Sequence, residues 1–309
     1  MSVLRGLRWC LMACGLLGWA GFAWTAAAAP SSVLVLGRIS DDPSTHYAQL
    51  KPLLDYVVPR MRGVGIRRGE ILMAPDTRQM ASYLRRGRVD WVSEATGAAM
   101  LLQQRGGAHP LLMTGRGGVR DFQTVFFVRR DSPIHSLAEL RGHTLALQNV
   151  SSTSSYLLPM LELMRNRLSC EILLSPDDAQ VAGSVGYVLV GSKVNIAAYV
   201  QRHLVDAGAF SNLDWDDERH MPPAFKREFR IIHRSAPVPR AVEMVRAGMD
   251  PAVEQRLRAV LLQASTDPVA GPALRRFFGT DGFHPLDGAS LHRLDVLGRE
   301  LRQLKAQVE

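Results

Sequence analysis

Residues 149–159 read NVSSTSSYLLP. Five consecutive Ser and Thr residues, 151–155, stand between an apolar run, HTLAL at 143–147, and a helical pattern over 156–167. One or two such residues suffice to cap a helix. Five make a nest of hydroxyl and backbone N–H donors, at a helix start where unpaired N–H groups and the macrodipole favour negative charge. The stretch predicts a strand-to-helix turn that holds an anion, at the strand end where open α/β sheets bind their ligands.

The same alternation extends in both directions. Towards the N-terminus, VLVLG (33–37), EILMA (70–74) and VDWVS (89–93) read as strands, each followed by a helical pattern, over 47–61, 79–86 and 98–104. PLLMT (110–114) and TVFFVRR (124–130) are extended, and DSPIHSLAELRG (131–142) is a Pro-containing turn with a short helix. A second series runs through EILL (171–174), VGYVLVG (185–191), a helix over 194–203 and VDAGAF (205–210). FRIIHRS (229–235) is extended again, and helices follow over 251–263, 269–278 and 291–307. Strand–helix–strand units at this spacing predict parallel pairing with right-handed crossovers. Two extended crossings near 122–130 and 228–235 divide the chain into two lobes, 29–125 with 232–309 and 126–231. The expected fold is therefore two-lobe α/β, each lobe a mostly parallel sheet flanked by helices, with a ligand cleft between them.

The first residues fix the compartment. Arg5 and Arg8 precede an apolar stretch, CLMACGLLGWAGFAW (10–24), and the small residues of TAAAA (25–29). The pattern reads as a secretory signal peptide over 1–28, with cleavage expected between Ala28 and Ala29; retention as an anchor and lipidation at Cys14 are the alternatives. Cleavage removes Cys10 and Cys14 and leaves Cys170 alone, so the exported chain has no internal disulfide and Cys170 reads as an inert core thiol.

The 309 residues carry a net charge of +8, spread as short arginine pairs rather than a basic run, so nucleic acid is not the expected partner. Enzyme chemistry also lacks its signatures. AGSVG (182–186) breaks the GxSxG pattern, no HExxH or paired His/Cys ligands occur, and the glycine-rich TGRGGVRDF (114–122) has no P-loop Lys-Ser/Thr. No metal and no cofactor are expected.

Taken in chain order, APD (74–76), VD (89–90), RDSPIHSLAELRG (130–142), SSTSSYLLP (151–159), VDAGAFS (205–211) and IIHRSAPVP (231–239) resemble the periplasmic phosphonate/phosphite/phosphate-binding proteins of ABC transporters, which have the type II periplasmic binding fold. The resemblance implies that Ser152, Thr153, Ser154 and Ser155 grip an oxyanion, with Ser155 standing where the family has glycine. It places Thr77 and Glu94 at two family positions held by aromatic residues. Thr77 still offers a hydroxyl. Glu94 either accepts from a protonated oxyanion, binds an ammonium group or is an ordinary helix-start carboxylate. Lys193 replaces the acid that receives a ligand amine, which implies a second anionic group or an ion pair with Glu94. Asp206 matches a family acid near the ligand, or simply caps a turn. The implied protein is a monomeric periplasmic carrier that delivers a small oxyanion to an ABC permease. The alternative is a sensing protein of the same fold that signals through a membrane two-component receptor.

Overall fold

The computed structural model describes residues 32–40 and 42–308, which belong to one compact unit. The signal peptide, its cleavage site, Cys10 and Cys14 lie outside the described residues. Two six-stranded sheets carry the architecture. In the first, Val33–Ile39 pairs in parallel with Arg68–Ala74 and with Trp91–Ala95. Ala241–Val245 runs antiparallel between Trp91–Ala95 and His109–Arg116, and Thr280–His284 closes the edge antiparallel to His109–Arg116. The second sheet pairs Cys170–Ile172, Val185–Leu189, Thr144–Leu147 and Ala207–Ser211 in parallel. Thr124–Arg129 then runs antiparallel beside Ala207–Ser211 and carries Phe229–Arg234 on its outer side. In both sheets most strands therefore point one way, as strand–helix–strand units require.

Local chemistry explains the main joints. Asp76 caps Thr77–Arg85 by accepting from the Gln79 N–H at 2.8 Å, and Ser192 caps Lys193–Gln201 through the Asn195 N–H. Strands buried on both faces read as continuous apolar runs, and Thr124–Val128 is buried throughout. Glu243, on the strand Ala241–Val245, is a buried carboxyl. It accepts from Trp91 Nε1 at 2.6 Å, Ser93 Oγ at 2.7 Å and Thr114 Oγ1 at 2.5 Å, which ties three neighbouring strands together. Cys170 is half-buried, and burial pushes its thiol up to about 12, so it holds its proton at neutral pH.

The C-terminal helix, Gly288–Val308, has a role the sequence reading did not give it. It packs on Thr96–Gly106, beside the first sheet, and on Leu158–Arg165, beside the second. Leu294, Leu297, Leu301 and Leu304 bury themselves in a core cluster that also holds Val92 and Leu145, one from each sheet. Arg165 Nε donates to Glu300 at 3.0 Å across the same seam. Leu301→Ala should lower the unfolding free energy by about 2–5 kcal/mol in chemical denaturation, because the cavity cannot collapse between two sheets; a change below 0.5 kcal/mol would show that the helix adds little to the core.

Candidate functional site

A cleft of about 660 Å³ opens where the carboxyl ends of both sheets meet. The first sheet contributes Arg38, Ile39, Glu94 and Arg116, all at or next to strand ends. The second contributes residues 148–154, Lys193 and Ser211. Parallel strands with short exits produce this convergence, since every exit lies on the same side.

Thr153 sits at the centre. Ser152 precedes a single wide turn, Thr153–Leu157, in which the Leu157 N–H reaches the Ser152 carbonyl at 2.9 Å, and the helix continues as Leu158–Arg165. The Ser152 hydroxyl caps it by accepting from the Ser155 N–H at 3.2 Å. The buried Thr153 hydroxyl has no hydrogen-bond partner among the described residues, so a cap is not its task. Gly97 stands opposite. A Cβ there would fall 2.9 Å from Thr153 Oγ1, so glycine lets the two lobes approach at this point. Gly97 belongs to the helix Thr96–Gly106, whose preceding residue, Ala95, has no capping side chain and lines the cleft. No side chain of the preceding residue caps its first N–H groups.

Of the expected site residues, Ser152, Thr153, Ser154, Thr77, Glu94 and Lys193 line the cleft. Ser155 lies fully buried behind them, with its hydroxyl 3.4 Å from that of Ser154. Asp206 is placed elsewhere. It precedes the strand Ala207–Ser211, at the opposite end from the cleft, and its carboxylate accepts from the Thr144 N–H and hydroxyl at 2.8 and 2.9 Å. The acid that meets Lys193 is Asp214, at 2.8 Å. Glu94 is buried and pairs with Arg38 at 3.3 Å rather than with Lys193, while accepting from the Ile39 N–H at 2.7 Å. Desolvation dominates its environment and raises its pKa, against the pull of Arg38.

Sequence reading missed the arginines. Arg38, Arg116 and Arg240 all line the cleft. Arg116 Nε and Nη2 and Arg38 Nε are buried without a hydrogen-bond partner among the described residues. Burial, helped by the neighbouring Arg38 charge, draws Arg116 down to about 9, while Glu243 and Glu94 act in the opposite sense. Arg240 donates to the Arg116 carbonyl at 2.9 Å. The available signal was positional, since Arg38 and Arg116 lie next to and at the end of a strand, respectively. TGRGGVRDF instead read as a glycine-rich loop, although Arg116 belongs to the strand His109–Arg116.

Fold and cleft together define a two-lobe α/β binding protein whose cleft is lined by Arg38, Arg116, Lys193 and Arg240. The family described as ABC transporter, phosphonate, periplasmic substrate-binding protein matches residues 37–291, and the chain belongs to this family of periplasmic substrate-binding proteins. The family's members bind small ligands for ABC transporters and are not enzymes. Among solved structures, the Xanthomonas citri protein XAC2383 is 75% identical when bound to chloride, covering 90% of this chain and 100% of its own, with a TM-score of 0.87. Bound to ATP it is 74% identical over the same shares, with a TM-score of 0.86. PhnD1 of Prochlorococcus marinus, in complex with methylphosphonate, shares the fold at 14% identity, covering 88% of this chain and 98% of its own, with a TM-score of 0.62. No helix among the described residues is long and apolar enough to cross a membrane.

The buried carboxyl generates a pH prediction. A folded-state pKa raised above the unfolded value means that Glu94 destabilises the protein once it ionises, so its penalty is absent below the ordinary carboxylate range and develops as pH rises through the folded value. Glu94→Gln should therefore melt higher than wild type at pH 7, with the difference closing towards pH 4, and it should bind anions more tightly. A difference that is constant from pH 4 to 7 would remove Glu94 ionisation as the cause.

Proposed function

We propose that this protein is a periplasmic carrier that captures a multiply charged phosphorus oxyanion bearing an organic group, a phosphonate or phosphate ester, and hands it to an ABC permease. The single observation that supports this most is the pairing of two unsatisfied donor groups in one cleft: the buried Arg116 guanidinium nitrogens and the Thr153 hydroxyl. A buried polar group without a partner is destabilising, and an oxyanion supplies several acceptors to each. Arginine suits phosphate because its planar donors match two oxygens at once. Arg38, Arg116, Lys193 and Arg240 outnumber the lining carboxylates Glu94 and Asp214, and this excess of cations favours an anionic ligand. A volume of about 660 Å³ falls in the range of sites for drug-sized molecules and exceeds what a bare oxyanion fills. ATP bound to the 74% identical Xanthomonas citri protein fits the same reading.

The chain works as a monomer in this proposal, and Ser152 and Ser154 flank Thr153 as further donors. Closure of the lobes excludes water and strengthens these bonds. Thermal shift against phosphate, methylphosphonate, pyrophosphate, ATP, sulfate and chloride tests it. A ligand at about 100 times its Kd adds roughly 2.7 kcal/mol of stability, and phosphonates or phosphate esters should give the largest shifts. Thr153→Ala should weaken that binding by about ten- to hundredfold, with an unchanged Tm in the unliganded protein. Stabilisation by chloride or sulfate alone would sink the proposal, and equal losses of Tm and affinity in Thr153→Ala would reduce Thr153 to a structural cap.

A further inference from the structure

One residue beside the cleft breaks a local rule. Phe278 has φ 54°, in the left-handed region, and Gly279 follows at φ 66°. Paired left-handed residues are the province of Gly, Asn and Asp, and a bulky aromatic side chain there is strained. The turn lies between the helix Gly271–Arg276 and the edge strand Thr280–His284. Its backbone is fixed from both sides, by the Gly279 N–H on the Arg275 carbonyl at 3.1 Å and the Gly117 N–H on the Gly279 carbonyl at 3.1 Å.

The ring is what this conformation places. The guanidinium carbons of Arg38 and Arg116 lie over it, at 4.6 and 4.7 Å from its centroid. His46 and Phe277 pack against it at 5.7 and 5.3 Å between ring centroids. Arg38, Arg116 and His46 line the cleft; Phe278 is not among the lining residues and acts from behind them. The two arginines sit at or next to the ends of strands that are separated in the sheet by two others, Ala241–Val245 and Trp91–Ala95. Nothing in the sheet alone draws them together, and their like charges repel, Arg38 being one cause of the lowered Arg116 pKa. An aromatic π face attracts both.

We propose that Phe278 is a positioning residue for the anion site: its ring gathers Arg38 and Arg116 into one clamp before any ligand arrives. The clamp spares the ligand the work of assembling two repelling cations, which is preorganisation. The proposal rests on the reading of the cleft as a phosphorus oxyanion site for its effect on affinity, and on the unliganded protein for the clamp itself.

Phe278→Leu and Phe278→Tyr separate the π face from everything else. Both carry the same backbone strain and both fill the turn, but only Tyr keeps an aromatic face. The side-chain Nε–Hε resonances of Arg38 and Arg116, in ¹⁵N-resolved NMR of the unliganded protein, should be displaced by ring current in wild type and Phe278→Tyr and return to ordinary positions in Phe278→Leu. Titration with pyrophosphate and with ATP should show Phe278→Leu weaker by about tenfold and Phe278→Tyr close to wild type, with similar Tm values. Undisplaced resonances in wild type overturn the proposal, as does equal affinity in all three proteins or equal weakening of both variants. If wild type takes up neither pyrophosphate nor ATP, the oxyanion reading fails, and the resonances of the unliganded proteins alone decide whether the ring holds the arginines.

Discussion

Two guanidinium groups with buried nitrogens, at or next to the ends of β-strands, set the terms for the rest of this molecule. Removing a cation from water is strongly unfavourable unless opposite charge and hydrogen bonds replace the lost hydration. Arg38 has the Glu94 carboxylate at 3.3 Å. Arg116 has Glu243 and Glu94 as the nearby anions that act on it, and the face of Phe278 beneath it. Glu243 in turn is held by Trp91, Ser93 and Thr114, so the charge balance of the cleft is continuous with the hydrogen bonds that bind three strands of the first sheet. Two nitrogens of Arg116 have no hydrogen-bond partner among the described residues.

The two sides of the cleft use different physics. The first sheet supplies formal charge, from Arg38, Arg116 and Arg240. The second supplies a helix start with uncharged donors around Thr153, while its one lining lysine is matched by Asp214. Formal charge attracts an anion over distance and is screened by salt, whereas oriented N–H and O–H groups act only at contact. A ligand gains from both sets at once only when the lobes are close, and Gly97 permits that closeness by admitting the Thr153 hydroxyl against the helix Thr96–Gly106. The C-terminal helix, seated on elements of both sheets, restrains the same seam from the other side.

Much of the fold was legible in the sequence because strands and helices announce themselves locally. The strand expected at 33–37 extends over Val33–Ile39, and the helix expected at 47–61 starts earlier, at Pro43, because Asp42 caps it. The hydroxyl cluster at 151–155 was legible for the same reason, as a helix start with more donors than a cap needs. Asp206 was misplaced because a strand has two ends. Its neighbours resemble a binding motif, but the cleft lies at the Ser211 end of that strand, and Thr144 occupies the carboxylate. The acid that meets Lys193, Asp214, follows that other end.

The sequence by itself determined a two-lobe α/β chain with a hydroxyl-rich helix start. Periodicity, capping residues and apolar runs act over a few neighbouring positions and need no partner from elsewhere. Only the tertiary structure decided which charges meet. Arg38 and Arg116 are 78 positions apart, and Phe278 comes from a third segment. Their encounter depends on strand order within the sheet and on one left-handed turn. Burial, which draws Arg116 down and Glu94 up, is likewise a property of the whole packed body, because desolvation depends on every atom that replaces water around the charge.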